Sequence, residues 1–214
     1  MNPPLRLAVL LSGGGTTLQN LLDHAADGRL GCMPARVVQV VSSNPQAFGL
    51  IRAQQAGVPA AVVERRGCPS REEFSRRLFE PIRAAGVQLV CLGGFLQLLR
   101  VPPDYQGRIL NIHPALIPSF CGKGFHGRHV HEAVLEAGVK ISGCTVHFVD
   151  DEYDHGPIVA QRAVPVLEDD TPETLAERVF AQECQVYPEA VRLFAEGRLR
   201  IEGRRVRVLS ESEA

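Results

Sequence analysis

The residues best suited to chemistry lie together in a short segment, Asn111-Ile112-His113-Pro114. Side chains two residues apart share one face of a β-strand, so Asn111 and His113 should point the same way. Pro114 cannot donate to a strand ladder and should end the strand there. An amide donor beside a titratable imidazole can stabilise an oxyanion and move a proton, as transfer or hydrolysis of an acyl or formyl group requires. A buried polar pair bonded only to nearby backbone is an equally weighted alternative.

A second polar cluster, Asp150-Asp151-Glu152-Tyr153-Asp154-His155-Gly156, follows about forty residues later. It does not match a calcium loop, because His155 stands where that loop needs its glycine and the distal glutamate is missing. Most acidic clusters are solvated loops, but one carboxylate here could raise the pKa of a nearby imidazole and orient it. The spacing in the sequence does not show whether Asp154 lies next to His113. A solvated acidic loop and a carboxylate that orients an imidazole therefore both stay open.

A glycine-rich loop, Ser12-Gly13-Gly14-Gly15-Thr16-Thr17-Leu18, joins a predicted strand to a helix N-terminus. Free backbone N–H groups and the helix dipole attract an anion at such a place. The dinucleotide fingerprint fails, because Leu18 stands at its third glycine and Ser42-Ser43-Asn44 lacks the acid that holds a ribose. A phosphate monoester is therefore the favoured ligand, and a tight turn without a ligand is the alternative.

Metal ligands and disulfides are not expected. His126, His129 and His131 lie at a predicted loop-to-helix junction without partners at metal-site spacing. The cysteines are scattered and form no CxxC pair, which favours a reducing cytoplasm over a disulfide framework. They are Cys32, Cys68, Cys91, Cys121, Cys144 and Cys184.

An acidic residue points inward from the last predicted long helix. Glu183 falls on the apolar stripe that Leu175, Val179 and Val186 form at helical spacing. An inward acid is either paired with an arginine or reserved for a ligand that is cationic or carries hydroxyl groups. Structural pairing is the more frequent outcome, so this residue alone decides little.

Composition excludes several classes of protein. The chain has 214 residues, 45% of them hydrophobic, and a formal net charge of −1, which gives no bulk attraction to nucleic acid or to an anionic membrane. No apolar run approaches the ~20 residues needed to span a bilayer. The first residues lack the charged and apolar regions of a signal peptide, so we expect a cytoplasmic location.

Apolar strand runs alternate with helical patterns, which predicts an α/β fold with a mostly parallel central sheet and helices on both faces. Ser70 and Glu73 predict a capping box at one helix start, and Pro81 should kink or limit that helix. We expect a single Rossmann-like domain over residues 1–214, with a late antiparallel strand pair and a C-terminal hairpin near 199–209. The predicted strands are Leu5–Leu11, Ala35–Ser42, Ala60–Glu64, Val87–Leu92, Arg108–His113, Lys140–Val149 and Pro157–Val166. The predicted helices are Thr16–Ala26, Ala47–Ala56, one opened by Ser70, Arg128–Ala137 and one from Thr171-Pro172 to about Ala195.

These motifs together resemble the folate-dependent formyltransferases of purine synthesis, over about residues 7–199. The strand-borne asparagine and histidine followed by an Asp-x-Gly-Pro motif are highly specific to that fold. The motifs stand here as Ser12–Leu18, Asn111-Ile112-His113-Pro114-Ala115-Leu116-Ile117-Pro118, Gly143–Val149 and Asp154-His155-Gly156-Pro157.

The resemblance assigns roles to individual residues. It implies that Asn111 and His113 are catalytic and that Asp154 tunes His113 toward its protonated form. It implies that glycinamide ribonucleotide binds through Gly15, Thr16, Thr17, Phe180, Ala181, Gln182 and Glu183. It implies that the formylfolate contacts Arg71, Leu96, Gln97, Leu98, Leu99, Asn111, Asp150, Asp151, Glu152, Tyr153 and Asp154.

The activity implied by the resemblance is transfer of a formyl group from 10-formyltetrahydrofolate to the amine of glycinamide ribonucleotide, without a metal. The alternatives are a formyltetrahydrofolate hydrolase, in which water is the acceptor, and a non-catalytic nucleotide-phosphate sensor that uses only the glycine loop. The implied partners are the two small-molecule substrates, with no nucleic acid and no membrane. The sequence leaves a monomer and a homodimer equally open.

Overall fold

The computed structural model describes residues 3–26, 28 and 33–213. Their contacts divide the chain into two compact units, Met1–Leu110 and Asn111–Ala214. Each unit contributes strands to a sheet and packs helices of its own against them. Cys32, one of the six cysteines, lies outside the described residues.

The first unit contains parallel strands in the order β3-β2-β1-β4. The interior strands β1 and β4 are almost entirely buried and apolar, as expected for a parallel sheet. The elements are β1 (Leu5–Leu11), α1 (Thr16–His24), β2 (Ala35–Ser42), α2 (Phe48–Gln55), β3 (Ala60–Val62), α3 (Arg71–Ala84) and β4 (Leu89–Leu92). Strand β5 (Ile109–His113) begins at the end of this unit and continues into the next.

The second unit holds the antiparallel pairs. β6 pairs antiparallel with β7, β9 pairs parallel with β7, and β8 pairs antiparallel with β9, which gives the order β6-β7-β9-β8. After β5 the elements are α4 (Arg128–Glu136), β6 (Ile141–Phe148), β7 (Ile158–Pro165), α5 (Pro172–Ala195), β8 (Leu199–Glu202) and β9 (Arg205–Val208). The predicted late strand pair and C-terminal hairpin are therefore confirmed.

The start of α3 confirms half of the predicted capping box. The Ser70 hydroxyl accepts the backbone N–H of Glu73 at 3.1 Å, but the Glu73 carboxylate pairs with Arg76 and Arg77 instead of returning to Ser70. Two guanidinium groups outcompete one backbone N–H for that carboxylate. Of the two effects predicted for Pro81, ending the helix is wrong, because α3 continues to Ala84, and a kink there stays a prediction.

The α/β class, the mostly parallel sheet and the late antiparallel pair are confirmed, and the predicted strand and helix ends move by one or two residues. The extent of the domain, residues 1–214, stays a prediction. None of the described helices is both long and apolar enough to cross a membrane.

Candidate active site

Asn111, His113 and Asp154 meet in the second unit. The Nδ1 atom of His113 lies 3.6 Å from Oδ2 of Asp154, and Nδ2 of Asn111 lies 3.4 Å from Oδ1 of the same carboxylate. Both strand residues therefore contact one carboxylate from the same face, as the alternation along β5 predicts. The side chains of His113 and Asp154 are 4% and 10% exposed. Asp154 thus belongs to a buried polar cluster, and the interpretation of this residue as part of a solvated loop is wrong.

The backbone around this cluster is held in an uncommon conformation. Phe120 has φ 50° and Asp154 has φ 52°, and they are the two non-glycine residues with positive φ in the described part of the chain. Such residues typically cost about 1–3 kcal/mol and persist where their surroundings fix them. The Asp154 carboxylate is fixed by the backbone N–H of Gly122, which donates to Oδ2 at 2.8 Å.

The protonation state of His113 follows from its hydrogen bond to Phe120. Nε2 of His113 lies 2.8 Å from the Phe120 carbonyl oxygen, which can only accept, so Nε2 carries the hydrogen. In the neutral ring, Nδ1 then carries no hydrogen, and its lone pair points toward Asp154. Burial lowers the pKa of His113 below its ordinary value, although Asp154 and the Phe120 carbonyl oppose this effect. Asp154 therefore favours the protonated form of His113, as the resemblance implies, but burial outweighs the carboxylate and the pKa is lowered overall.

Asp154 itself remains a carboxylate. Burial alone would raise its pKa, but His147, His113 and the Gly122 N–H together hold that pKa below its ordinary value. A neutral imidazole beside an ionised carboxylate is ready to accept a proton, because the imidazolium that forms is at once paired with a negative charge.

His147 completes the cluster and was missed in the sequence. Its Nδ1 donates to the carbonyl of Phe148 at 2.8 Å, and its Nε2, which lies 3.7 Å from Oδ1 of Asp154, forms a hydrogen bond with Nδ2 of Asn111 at 3.1 Å. This bond fixes which way the Asn111 amide faces. His147 lies two residues after Thr145 on β6, which is the same alternating polar pattern that singled out Asn111 and His113. That pattern could have identified it.

Thr145 also holds the chain that follows β5. Its hydroxyl donates to the carbonyl of Ala115 at 2.7 Å and accepts the backbone N–H of Ile117 at 3.1 Å. Gln161 on β7 bonds both the Thr145 hydroxyl and the Ile117 carbonyl. The two Thr145 bonds to the backbone are buried and the two Gln161 bonds are partly buried, and together they fix the segment between His113 and Phe120.

The glycine loop of the first unit is tied to helix α2. The carbonyl of Gly13 accepts the backbone N–H of Gly49 at 3.1 Å, and the carbonyl of Gly14 accepts Nε of Arg52 at 3.0 Å. In a planar trans peptide the N–H points opposite to the C=O. The N–H groups of Gly14 and Gly15 therefore point away from α2.

Free donors collect at this loop, as the phosphate interpretation requires. Within the described residues, the backbone N–H groups of Gly14, Gly15, Thr16 and Thr17 have no hydrogen-bond acceptor. They open helix α1, whose dipole favours an anion at this end. Arg52 lies on the other side of the loop, where it bonds the Gly14 carbonyl, and its guanidinium is 5.2 Å from the centre of the Phe48 ring.

Gly15 and Gly14 differ in whether the structure tolerates a side chain at their position. Gly15 has φ 70°, and a Cβ there would lie 2.6 Å from Cα of Gly49, so a side chain is excluded by both conformation and packing. A Cβ at Gly14 would meet nothing within 4 Å, and its φ is not positive. Gly14 is therefore the position where a charge can be introduced without disturbing the fold.

Glu183 lies inward on α5, as the apolar stripe predicts. Among the described residues no cation pairs with it, so the more frequent structural pairing does not apply. Burial raises the pKa of Glu183 to about 7. Of the two arginines on the same helix, Arg178 is instead bonded to Asp170 through two nitrogens at 2.7 Å, and Arg192 is bonded to Glu196 at 2.8 Å. An unpaired inward carboxyl group is suited to a ligand with amine or hydroxyl groups.

The residues assigned to the formylfolate lie in both units. In the first, Leu96 is 46% exposed whereas Leu99 is buried. In the second, the segment from Asp150 to Asp154 is folded back on itself, because the Asp150 carboxylate accepts the backbone N–H of Glu152 at 3.0 Å. The roles of all these residues stay predictions.

Of the histidines near α4, His129 is bonded to a carboxylate, whereas the buried Nδ1 of His131 has no hydrogen-bond partner among the described residues. His129 contacts the Glu132 carboxylate at 3.2 Å, and His131 is buried. Over the described ranges, no three His, Cys, Asp or Glu side chains lie close enough to hold a metal ion.

Comparison with known proteins places this geometry in a family. The chain matches the formyl transferase family over residues 5–191. It is 37% identical over 198 residues to the phosphoribosylglycinamide formyltransferase of Haemophilus influenzae, covering 92% of this chain and 90% of that protein. The crystal structure of glycinamide ribonucleotide transformylase 1 from Symbiobacterium toebii superposes with a TM-score of 0.89 at 49% identity, covering 98% of this chain and 96% of that one.

Longer proteins also contain a matching segment. The trifunctional purine biosynthetic protein adenosine-3 of Drosophila melanogaster is 43% identical over 194 residues, covering 90% of this chain. The chain spans only 14–19% of the length of such trifunctional relatives. A match over nearly all of the chain, in sequence and in three dimensions, shows that it belongs to the formyl transferase family.

Proposed function

We propose that this chain transfers the formyl group of 10-formyltetrahydrofolate to the amine of glycinamide ribonucleotide, a step of de novo purine biosynthesis. The observation that carries the proposal is the meeting of Asn111, His113 and Asp154 in one buried cluster. Membership of the formyl transferase family, together with the acceptor named for its relatives from Haemophilus influenzae and Symbiobacterium toebii, supports the choice of transferred group and acceptor. The choice of 10-formyltetrahydrofolate as donor follows the resemblance of the motifs to the folate-dependent formyltransferases.

The chemistry requires one proton to move between two nitrogens. The ribonucleotide amine attacks the formyl carbon and loses a proton, while the bond from that carbon to the folate nitrogen breaks and this nitrogen gains a proton. Neutral His113 accepts the proton at Nδ1, where the Asp154 carboxylate stabilises the imidazolium, and later gives it up. The amide of Asn111 donates to the oxyanion that develops on the formyl oxygen.

Asn111 has one hydrogen that a substrate can take over. Its Nδ2 makes a good hydrogen bond to His147 at 3.1 Å and a long one to Asp154 at 3.4 Å. The longer bond is the weaker, so the hydrogen directed at Asp154 is the one we assign to the oxyanion. His147 then acts as a positioning residue that keeps the amide oriented.

Substrate binding is divided among three groups of residues in this proposal. Backbone N–H groups of Gly15, Thr16 and Thr17 bind the ribonucleotide phosphate. The α5 residues Phe180, Ala181, Gln182 and Glu183 contact the rest of that molecule, with Glu183 accepting from its hydroxyl or amine groups. Arg71, the Leu96–Leu99 segment and the Asp150–Asp154 segment contact the formylfolate.

Gly14→Asp should weaken binding of glycinamide ribonucleotide by about tenfold, because a carboxylate placed beside the phosphate repels it by roughly 1.4 kcal/mol. Gly14 is the better position for this test than Gly15, whose replacement would disturb the loop by collision with Gly49. Calorimetric titration with each substrate separately measures the effect.

Gly14→Asn is the matched control, since it adds the same volume without the charge. Formylfolate should bind all variants with unchanged affinity. If Gly14→Asp binds the ribonucleotide normally and loses the folate instead, the two substrates have been assigned to the wrong residues.

The overall proposal is tested by following folate turnover with the purified protein. Turnover should require glycinamide ribonucleotide and should stop when the ribonucleotide is exhausted. If formylfolate turns over at the same rate when the ribonucleotide is omitted, water is the acceptor and the protein is a hydrolase. Ribonucleotide binding without any turnover would favour the phosphate sensor.

A further inference from the structure

The C-terminal hairpin reaches the segment that carries Asp154. The hairpin turns at Gly203, which has φ 61°, and the next residue is Arg204. Strand β9 pairs with β7 at Arg205 and Ile158, which places the turn beside the start of β7. The residues just before β7 are those that follow Asp154 in sequence.

Arg204 binds His155 through two nitrogens. One guanidinium nitrogen donates to Nε2 of the His155 ring at 2.7 Å, and a second donates to the His155 carbonyl oxygen at 2.9 Å. A guanidinium group has donors only, so Nε2 of His155 must accept and its Nδ1 must carry the hydrogen. That Nδ1 lies 2.7 Å from Oδ2 of Asp150 and donates to it.

These bonds close the segment from Asp150 to His155 into a ring. The Asp150 carboxylate accepts from His155 at the far end and from the backbone N–H of Glu152 within the segment. Arg204 holds the His155 end of the segment through its hydrogen bonds to the His155 ring and to the His155 carbonyl oxygen. Asp154 is adjacent to His155 and has φ 52°, so the backbone of the catalytic carboxylate is fixed on one side by this contact.

We propose that Arg204 is a positioning residue, which from the hairpin turn holds the Asp150–His155 segment in the conformation that presents Asp154 and binds the formylfolate. The hairpin then has a role in the reaction although none of its residues contacts the catalytic cluster. The kinetic part of this inference rests on the proposed function, because that function assigns the Asp150–Asp154 segment to the folate.

Arg204→Met tests this, since methionine keeps an apolar stem and removes both donors. Arg207→Met is the matched control, because Arg207 lies on the same hairpin and pairs at 2.9 Å with Glu213, away from the segment. The groups in the Arg204 contact are largely exposed, so we expect KM for formylfolate to rise by about three- to fivefold in Arg204→Met. KM for the ribonucleotide should not change in either variant, and Arg204→Lys should recover part of the loss by restoring one donor.

Hydrogen exchange of the free protein provides a measurement that is independent of activity. Amide exchange in the Asp150–Gly156 peptide should become faster in Arg204→Met and stay as in the wild type in Arg207→Met. Equal exchange in the two variants would overturn the inference, as would a KM increase common to both substrates. If the wild type shows no formyl transfer, the proposed function fails while the exchange result still decides whether Arg204 holds the segment.

Discussion

Replacing either Asn111 or His113 by Ala should lower kcat by about 10²–10³-fold, the usual cost of losing one group that stabilises transition-state charge. Asn111→Ala removes the N–H assigned to the oxyanion, and His113→Ala removes the nitrogen that takes up the proton. Both interactions develop during the reaction, so KM for either substrate should change far less than kcat. Steady-state kinetics with each substrate varied in turn measures the two effects.

His129→Ala is the matched control for the histidine, because His129 is exposed on α4 and contacts Glu132 and the exposed ring of His126. Thermal unfolding should show that the active-site variants are folded. A folded Asn111→Ala protein with nearly the wild-type kcat would remove Asn111 from the mechanism.

Asp154→Asn should lower kcat by about 10²-fold and move the pH dependence. An opposite charge at this distance typically raises a histidine pKa by about 1–3 units, which Asn no longer does. Burial, which already lowers the pKa of His113, would then act without opposition. Activity requires neutral His113, so the limb of the pH–rate profile on which activity rises with pH should shift to lower pH. Asn accepts the left-handed backbone conformation of Asp154, so the segment should keep its shape.

Asp169→Asn serves as the control, because Asp169 is an exposed acid outside the site. The profile is best recorded from pH 5 to 8 at saturating substrate. If Asp154→Asn keeps both the rate and the shape of the profile, the carboxylate does not act on His113.

The strand that carries the candidate catalytic pair could be predicted because its signal is local. Alternation along β5 places Asn111 and His113 on one face, and Pro114 ends the strand. The same reasoning applied to β6 would have selected Thr145 and His147. The buried stripe of α5 likewise placed Glu183 inward from periodicity alone.

Contacts between distant segments could not be predicted from the sequence. The contact of Asp154 with His113 depends on a left-handed residue in an irregular loop, which no periodic pattern encodes. The protonation state of His113 depends on how far burial outweighs one carboxylate, a balance set by packing. Whether Glu183 pairs with an arginine also depends on tertiary structure, since Arg178 forms its ion pair with Asp170.

The fate of the formyl carbon tests the central claim most directly. A single turnover with a donor labelled with ¹³C in the formyl group, followed by NMR, shows where that carbon goes. The label should appear in the formamide group of the ribonucleotide product, with none in formate and no donor consumed when the ribonucleotide is omitted. Release of the label as formate, at the same rate with and without the ribonucleotide, would contradict the proposed transfer.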